Sequence, residues 1–206
     1  MVIKKISLSQ LDFTGLDNAV SILQEGGVVC YPTDTCYGLT ALVDDETALQ
    51  TLYKIKKMPL DKPISVLVRD LKMAEELVAI SDKAVEVINK FWPAPLTIIL
   101  PKSKNCPQFL NPGINSVAIR QVNDPVSAYF CEQLNKPLLT TSANLHKTGS
   151  LYDSAEIIEE FKKETLAPDL ILAAGKVVKI APSTIIEVKG ALVEVKREGP
   201  ILKEEI

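Results

Sequence analysis

Gly26-Gly27-Val28-Val29-Cys30-Tyr31-Pro32-Thr33-Asp34-Thr35-Cys36-Tyr37-Gly38-Leu39 is the stretch from which the rest of the chain can be read. Gly26-Gly27 ends whatever precedes it. Val28 to Tyr31 is a β-branched and aromatic run of the kind that fills a buried strand. Pro32 has no N–H to give to a ladder, so the strand is expected to stop there. Hydroxyl, carboxylate and hydroxyl follow at Thr33, Asp34 and Thr35. A polar corner at the carboxyl end of a core strand is where open α/β sheets bind ligands.

On the N-terminal side, residues 1–10 alternate apolar and polar and read as an edge strand. Leu16, Ala19, Val20 and Leu23 have helical spacing, with Gly26 as C-terminal cap. On the other side, Leu39 to Val43 is a second strand. Asp44-Asp45 starts a helix with Ala48, Leu49, Leu52 and Ile55 inward, ending before Pro59. The stretch 54–63 carries Lys54, Lys56, Lys57 and Lys62, and its two prolines predict a non-helical basic loop. Ile64 to Val68 is a strand. Asp70 and Ser81 cap helices that turn Met73, Leu77 and Val78, then Ala84, Val85 and Ile88, inward. Phe91-Trp92-Pro93-Ala94-Pro95 is a stiff link into a strand from Leu96 to Leu100. Residues 101–115 read as a long surface loop.

Val117 to Ile119 is a strand ending in Arg120. Asp124-Pro125 is an N-cap followed by proline at the first helical position. Pro137 to Thr140 is a strand running into Thr141-Ser142-Ala143-Asn144. A helix with Ala155, Ile158 and Phe161 inward precedes a strand from Asp169 to Leu172. Ser183 to Val188 and Ala191 to Val195 form a hairpin across Lys189-Gly190. The alternation of strands and helices predicts one α/β domain over residues 1–206 with a mixed sheet.

Composition narrows the function classes. The chain has 206 residues, a net charge of −3, 47% hydrophobic and 24% charged residues, as in soluble globular proteins. That charge argues against indiscriminate nucleic-acid binding. No apolar run approaches the ~18 residues of a membrane span. The N-terminus lacks the apolar stretch of a secretory signal, so a cytoplasmic location is expected. The four cysteines, at 30, 36, 106 and 131, do not have the spacing of a zinc knuckle or a redox motif. His146 is the one histidine, which speaks against a His-based metal site and a Ser-His-Asp triad; no metal ligands are expected. Neither a Walker nor a Rossmann glycine run is present.

Four predicted strand ends carry polar side chains: Thr33-Asp34-Thr35, Arg120, Thr140 to Asn144, and Pro182-Ser183-Thr184. The lysine loop lies beside them in the reading. This cationic and hydroxylic set suits holding phosphates and a carboxylate, with catalysis by positioning and charge neutralisation as in nucleotidyl transfer. Each group also has a plainer reading. A lysine loop is commonly a solvated surface. Ser142-x-Asn144 can be a turn that caps the next helix. Arg120 can be an ion-pair partner, and Thr33 and Thr35 can satisfy backbone groups of the corner. His146 reads as a surface residue and the cysteines as buried thiols.

The order and wording of these pieces are more specific than any one of them. Tyr31-Pro32-Thr33-Asp34-Thr35-x-Tyr37-Gly38-Leu39, Lys56-x-x-Pro59-x-Asp61-Lys62-Pro63, Trp92-Pro93-x-Pro95-Leu96-Thr97, Val117-Ala118-Ile119-Arg120, Thr141-Ser142-Ala143-Asn144-Leu145, Pro182-Ser183-Thr184-Ile185-Ile186 and Arg197-Glu198-Gly199 together resemble the YrdC-like family over residues 13–200. The resemblance implies a single twisted mixed sheet with helices packed on it and a large concave basic cavity. It implies L-threonylcarbamoyladenylate synthase activity, in which L-threonine, bicarbonate and ATP, with magnesium, give threonylcarbamoyl-AMP and pyrophosphate. The product serves the threonylcarbamoyl modification of adenosine 37 in tRNA, which would make transferase proteins of that pathway partners.

By the same resemblance, Thr35 contacts threonine and Lys56 meets the ATP phosphates. Ser116 and Arg120 line the cavity, with Arg120 on the threonine carboxylate. Ser142 and Asn144 bind the nucleotide end, and Ser183 and Arg197 complete the pocket. Lys56, Arg120, Ser142 and Asn144 are the expected catalytic groups. Thr33, Lys54, Lys57, Lys62 and Thr140 join the expected substrate-binding set from their place in the polar corner, the lysine loop and the strand end. One departure stands out: Met58 occupies the position where the family's synthases carry arginine, and the wording Lys54-x-Lys56-x-x-Pro59 with Arg69-Asp70-Leu71 is similar to the YciO branch. The alternatives are a non-catalytic paralogue that binds double-stranded RNA or tRNA, and a nucleotide or amino-acid sensor.

Overall fold

The computed structural model describes residues 1–9 and 13–206, the side chain of Phe13 excepted. In chain order the elements are β1 (Val2–Lys5), α1 (Phe13–Gln24), β2 (Val29–Pro32), β3 (Tyr37–Leu42), α2 (Glu46–Lys56), β4 (Ser65–Val68), α3 (Leu71–Leu77), α4 (Asp82–Phe91), β5 (Leu96–Pro101), β6 (Ser116–Gln121), α5 (Pro125–Leu134), β7 (Leu138–Ser142), α6 (Ser154–Lys162), β8 (Leu170–Ala173), β9 (Thr184–Lys189) and β10 (Leu192–Arg197), with a 3₁₀ turn at Lys203–Glu205. The strands make one mixed ten-stranded sheet in the order β1-β8-β2-β3-β7-β4-β6-β5-β9-β10. The expected edge strand is β1, paired in parallel with β8, and the closing hairpin forms the other edge. Gln10, the last residue of the expected N-terminal strand, lies outside the described residues.

Period-two alternation divides the sheet residues between two faces. Cys30, Leu39, Leu139, Val66, Ile119, Ile98 and Ile186 point to one face, into the larger core shared with α2, α3, α4 and α6. Val29, Tyr31, Leu42, Leu67 and Leu138 point to the other, under α1 and α5. On this second face the helix cover reaches Leu138 on β7 and Leu67 on β4. Two residues further along, the side chains shrink and turn polar: Thr140, Ser65 and Ala118 stand in one cross-strand row. The uncovered half of that face is the floor of the cavity described below.

Helix boundaries follow local chemistry. Asp45, Asp70, Ser81 and Asp124 each accept a backbone N–H from the first turn that follows. Gly26, at φ 81°, closes α1 with its N–H on Leu23 O, and Gly27 N–H reaches Ile22 O. Three readings need correction. The basic loop is shorter than expected, because Lys54 and Lys56 complete the last turn of α2 and only at Lys57, the left-handed cap at φ 52°, does the helix stop. In α6 Phe161 is buried as expected, but Ile157 is buried with it, Ile158 is only partly buried and Ala155 is exposed; in α4 Val87 is buried and Val85 only partly so. Residues 101–115 are not all surface. Cys106, Leu110 and Asn111 are buried, and Asn111 clamps β4 by accepting from Ile64 N at 2.9 Å and donating to Ile64 O at 3.1 Å.

Candidate active site

The cavity has a volume of about 220 Å³ and opens to solvent. Its floor is Gly38 on β3, Thr140 and Ser142 on β7, Ser65 and Leu67 on β4, Arg120 on β6 and Thr97 on β5. Its walls are the β2–β3 tip from Thr33 to Cys36 and, opposite, Pro182, Ser183, Ile185 and Arg197. The tip is fastened at its shoulders: Thr33 N–H donates to Cys36 O at 3.0 Å, and Thr33 Oγ1 donates to the same oxygen at 2.7 Å. A Cβ at Gly38 would stand 3.1 Å from Thr33 Cγ2, a tight contact to which the Thr33 methyl would have to yield.

Arg120 is the buried cation of the floor, 9% exposed. Its Nη2 donates to Asp34 Oδ2 in an ion pair, whereas its Nε is buried and has no acceptor among the described residues. Such a donor is costly to leave unmade unless something else meets it. Asp124 also lines the cavity. It caps α5 through Ser127 N at 2.7 Å and accepts from Ser127 Oγ at 2.6 Å, and Ser127 Oγ in turn lies 2.9 Å from the buried Tyr31 hydroxyl. Burial, with a smaller push from the charge of Asp34, raises Asp124 to about 6.

On the far wall, Arg197 grips Ser183 O with Nε at 3.1 Å and Nη2 at 2.7 Å, and Ser183 Oγ lies 2.8 Å from Thr97 Oγ1. Burial lowers Arg197 from its ordinary value, and the charge of Arg120 adds to this. Gly199 sets this contact. A Cβ there would fall 2.4 Å from Thr184 N and 2.5 Å from Pro182 O, so the tail can lie on the β9 entry only as glycine.

Thr33, Thr35, Arg120, Thr140, Ser142, Ser183 and Arg197 are therefore brought together around one cavity. The remaining expected residues are not in its lining. Lys56 is buried behind it, donating from Nζ to Ser142 O at 2.6 Å, Asn144 O at 3.0 Å, Asn144 Oδ1 at 3.2 Å and Ser142 Oγ at 3.3 Å. Desolvation draws its ammonium down to about 8. Asn144 completes this turn by donating from Nδ2 to Leu145 O and Thr148 O. Lys54 and Lys57 line a separate groove with Gln50, Tyr53, Met58 and Leu60, and Lys57 pairs with Glu164. Lys62 is exposed beside the rim residue Pro63. Ser116 begins β6, four residues before Arg120, outside the lining. The expected concave cavity is present, but its lining carries two arginines against two aspartates, not a surplus of lysine. Asp34, Thr97, Asp124, Ser127 and Ser150 are lining residues beyond the expected substrate set. Asp124 had a visible signal, the Asp-Pro helix start, which hid a second role.

Fold and site define a cavity-bearing mixed-sheet α/β protein whose polar groups converge on one open cavity. The chain belongs to the Sua5/YciO/YrdC family, described as "Telomere recombination", which matches residues 21–199. A Threonylcarbamoyl-AMP synthase of Psychromonas ingrahamii is 32% identical over 154 residues, covering 73% of this chain and 81% of its own. P. abyssi Sua5 complexed with L-threonine superposes with a TM-score of 0.91 at 27% identity, covering all of this chain, which spans 59% of that one. E. coli YciO superposes at 0.88 with 25% identity, each chain covering 99% or more of the other. By name, the curated relatives of this family are synthases, hence enzymes.

Proposed function

We propose that the protein is an L-threonylcarbamoyladenylate synthase, forming threonylcarbamoyl-AMP and pyrophosphate from L-threonine, bicarbonate and ATP for modification of adenosine 37 in tRNA. The observation that carries this reading is the match of the entire chain to a Sua5 complexed with L-threonine, together with a buried, half-satisfied arginine in the cavity of this chain. In this reading bicarbonate loses hydroxide to give carbon dioxide, the threonine amine adds to its carbon, and the proton the amine gives up leaves with the hydroxide as water, giving a carbamate. A carbamate oxygen then attacks the α-phosphorus of ATP, the bond to the β-phosphate bridging oxygen breaks, and pyrophosphate leaves. The protein's task is to hold two anions that repel each other. Arg120 and Arg197 offset their charge, and the hydroxyls of Thr35, Thr140, Ser142 and Ser183 donate to their oxygens. Lys56 and Asn144 hold the turn that presents Ser142.

Magnesium enters with the ATP phosphates; the two cavity carboxylates, Asp34 and Asp124, are the kind of ligand that supplements phosphate oxygens around that ion. The transferase proteins that consume the product are the expected partners, and the cytoplasm is the expected location. Among the described residues no helix is long and apolar enough to cross a membrane. A non-catalytic RNA-binding role would call for a basic concave face, which a lining of two arginines and two aspartates does not favour. The test is to incubate the pure protein with ATP, L-threonine, bicarbonate and magnesium and follow pyrophosphate. Threonine-dependent release is expected; none would refute the synthase reading.

A further inference from the structure

The guanidinium of Arg120 presents Nε–H and one Nη2–H side by side, a fork matched by the two oxygens of a carboxylate or by two oxygens of a phosphate. Asp34 takes only half of it. Its Oδ2 accepts from Nη2, while the neighbouring Nε is buried and meets no acceptor among the described residues. A side chain arriving from the β2–β3 tip thus makes a one-pronged contact on a two-pronged face. The tip is fixed by Thr33 and Cys36 at its shoulders, and among the described residues the Asp34 carboxylate accepts from Arg120 alone. Turning Asp34 away breaks no other hydrogen bond among the described residues.

We propose that Asp34 is a surrogate anion: it occupies the Arg120 fork one-handed in the empty cavity and yields it to a ligand anion that accepts from both Nε and Nη2. Asp34 is then a specificity-determining residue. It sets a threshold that only a ligand able to satisfy the orphan donor can pass, and it gives way to oxyanions with two adjacent oxygens in preference to neutral or singly accepting groups. The identity of that anion as the carboxylate of L-threonine rests on the proposed function; the displacement itself does not.

The experiment is calorimetric titration of the whole chain and of Asp34→Asn with L-threonine, with 3-hydroxybutyrate, which keeps the carboxylate and hydroxyl but lacks the amine, and with inorganic phosphate. Removing the competing charge while keeping the side-chain size is expected to lower the Kd of L-threonine and 3-hydroxybutyrate alike, by about threefold or more. Asp34→Glu keeps the competitor and is expected to stay near the parent. Arg120→Lys, which has no fork, is expected to abolish the gain when combined with Asp34→Asn. If Asp34→Asn weakens L-threonine and leaves 3-hydroxybutyrate unchanged, Asp34 binds the amine and the inference is overturned. Unchanged affinity for every probe also overturns it. If phosphate tightens in Asp34→Asn while L-threonine binds to neither protein, the surrogate role stands and the threonine reading falls. A thermal melt of each variant guards against misfolding. Should Asp34→Asn not fold, Asp34→Ser, also uncharged, takes its place with the same expected tightening.

Discussion

Lys56 illustrates how a residue type can point to the right neighbourhood and a different task. A lysine in a basic run before a proline reads as a phosphate contact, yet here its Nζ is enclosed by four oxygens of Ser142 and Asn144. Replacing it by methionine of similar length leaves those acceptors unpaired, and such losses cost about 1–3 kcal/mol each time a buried group is abandoned. Lys56→Met is therefore expected to lower stability by that order at neutral pH and to reduce turnover through the Ser142 turn, as read by denaturant titration and pyrophosphate release. The sign of its pH dependence follows from burial. The folded value near 8 lies below the ordinary 10.5, so between these the unfolded chain binds more protons and stability rises with pH; the variant should lack that rise. Asp124 behaves oppositely. Its folded value near 6 lies above 3.8, so the folded chain binds more protons in that window and stability falls as pH climbs from about 4 to 6. Asparagine also caps helices. Asp124→Asn should flatten this part of a Tm-against-pH curve and leave the protein equally or more stable at pH 7.

At the scale of elements, what was legible depended on whether a signal was local. Caps were: Asp45, Asp70, Ser81 and Asp124 all start helices where their side chains announce it. Strand faces were nearly so, since alternation alone separates Ser65 and Leu67 from Val66. Long-range geometry was not. Nothing in Asn111 says that its amide, at φ 49° in a loop, will mimic a neighbouring strand for Ile64, or that Lys54 and Lys57 will face away from the cavity that Arg120 enters. The Arg197-Glu198-Gly199 motif was visible, but its reason was not. Gly199 lies against the backbone from Pro182 to Thr184, where an added methyl group meets atoms that cannot rotate away. Overpacking of this kind costs typically about 1–3 kcal/mol. Gly199→Ala is expected to lose stability by that order in urea and, by lifting Arg197 from Ser183, to weaken ligand binding beyond what the stability loss explains. Asn111→Ala should cost about 2 kcal/mol or more, because Ile64 loses partners for both its N–H and its C=O and alanine resists the left-handed backbone.

The whole molecule is one sheet whose second face is only half roofed. Helices α1 and α5 shelter the half toward β1, and the other half, from β7 to β9, is left as a floor with walls supplied by the β2–β3 tip and the C-terminal arm. A ligand in that space takes the place of the missing roof. It would lie against residues from Thr33 to Arg197 on seven of the ten strands, so its binding energy couples distant parts of the sheet rather than one local segment. A ligand that binds only the folded chain, at one hundred times its Kd, stabilises by about 2.7 kcal/mol. For a domain of this length each kcal/mol moves Tm by roughly 2–4 °C, giving a rise of roughly 5–10 °C. If ATP and L-threonine share the cavity as the proposed function requires, each should raise Tm in a single cooperative transition. Ser142→Ala, on the floor, should shrink the shift with ATP, whereas Lys54→Ala, in the outer groove, should leave both shifts intact. A shift with ATP that depends on Lys54 and not on Ser142 would move the nucleotide out of the cavity and into the groove beside Met58.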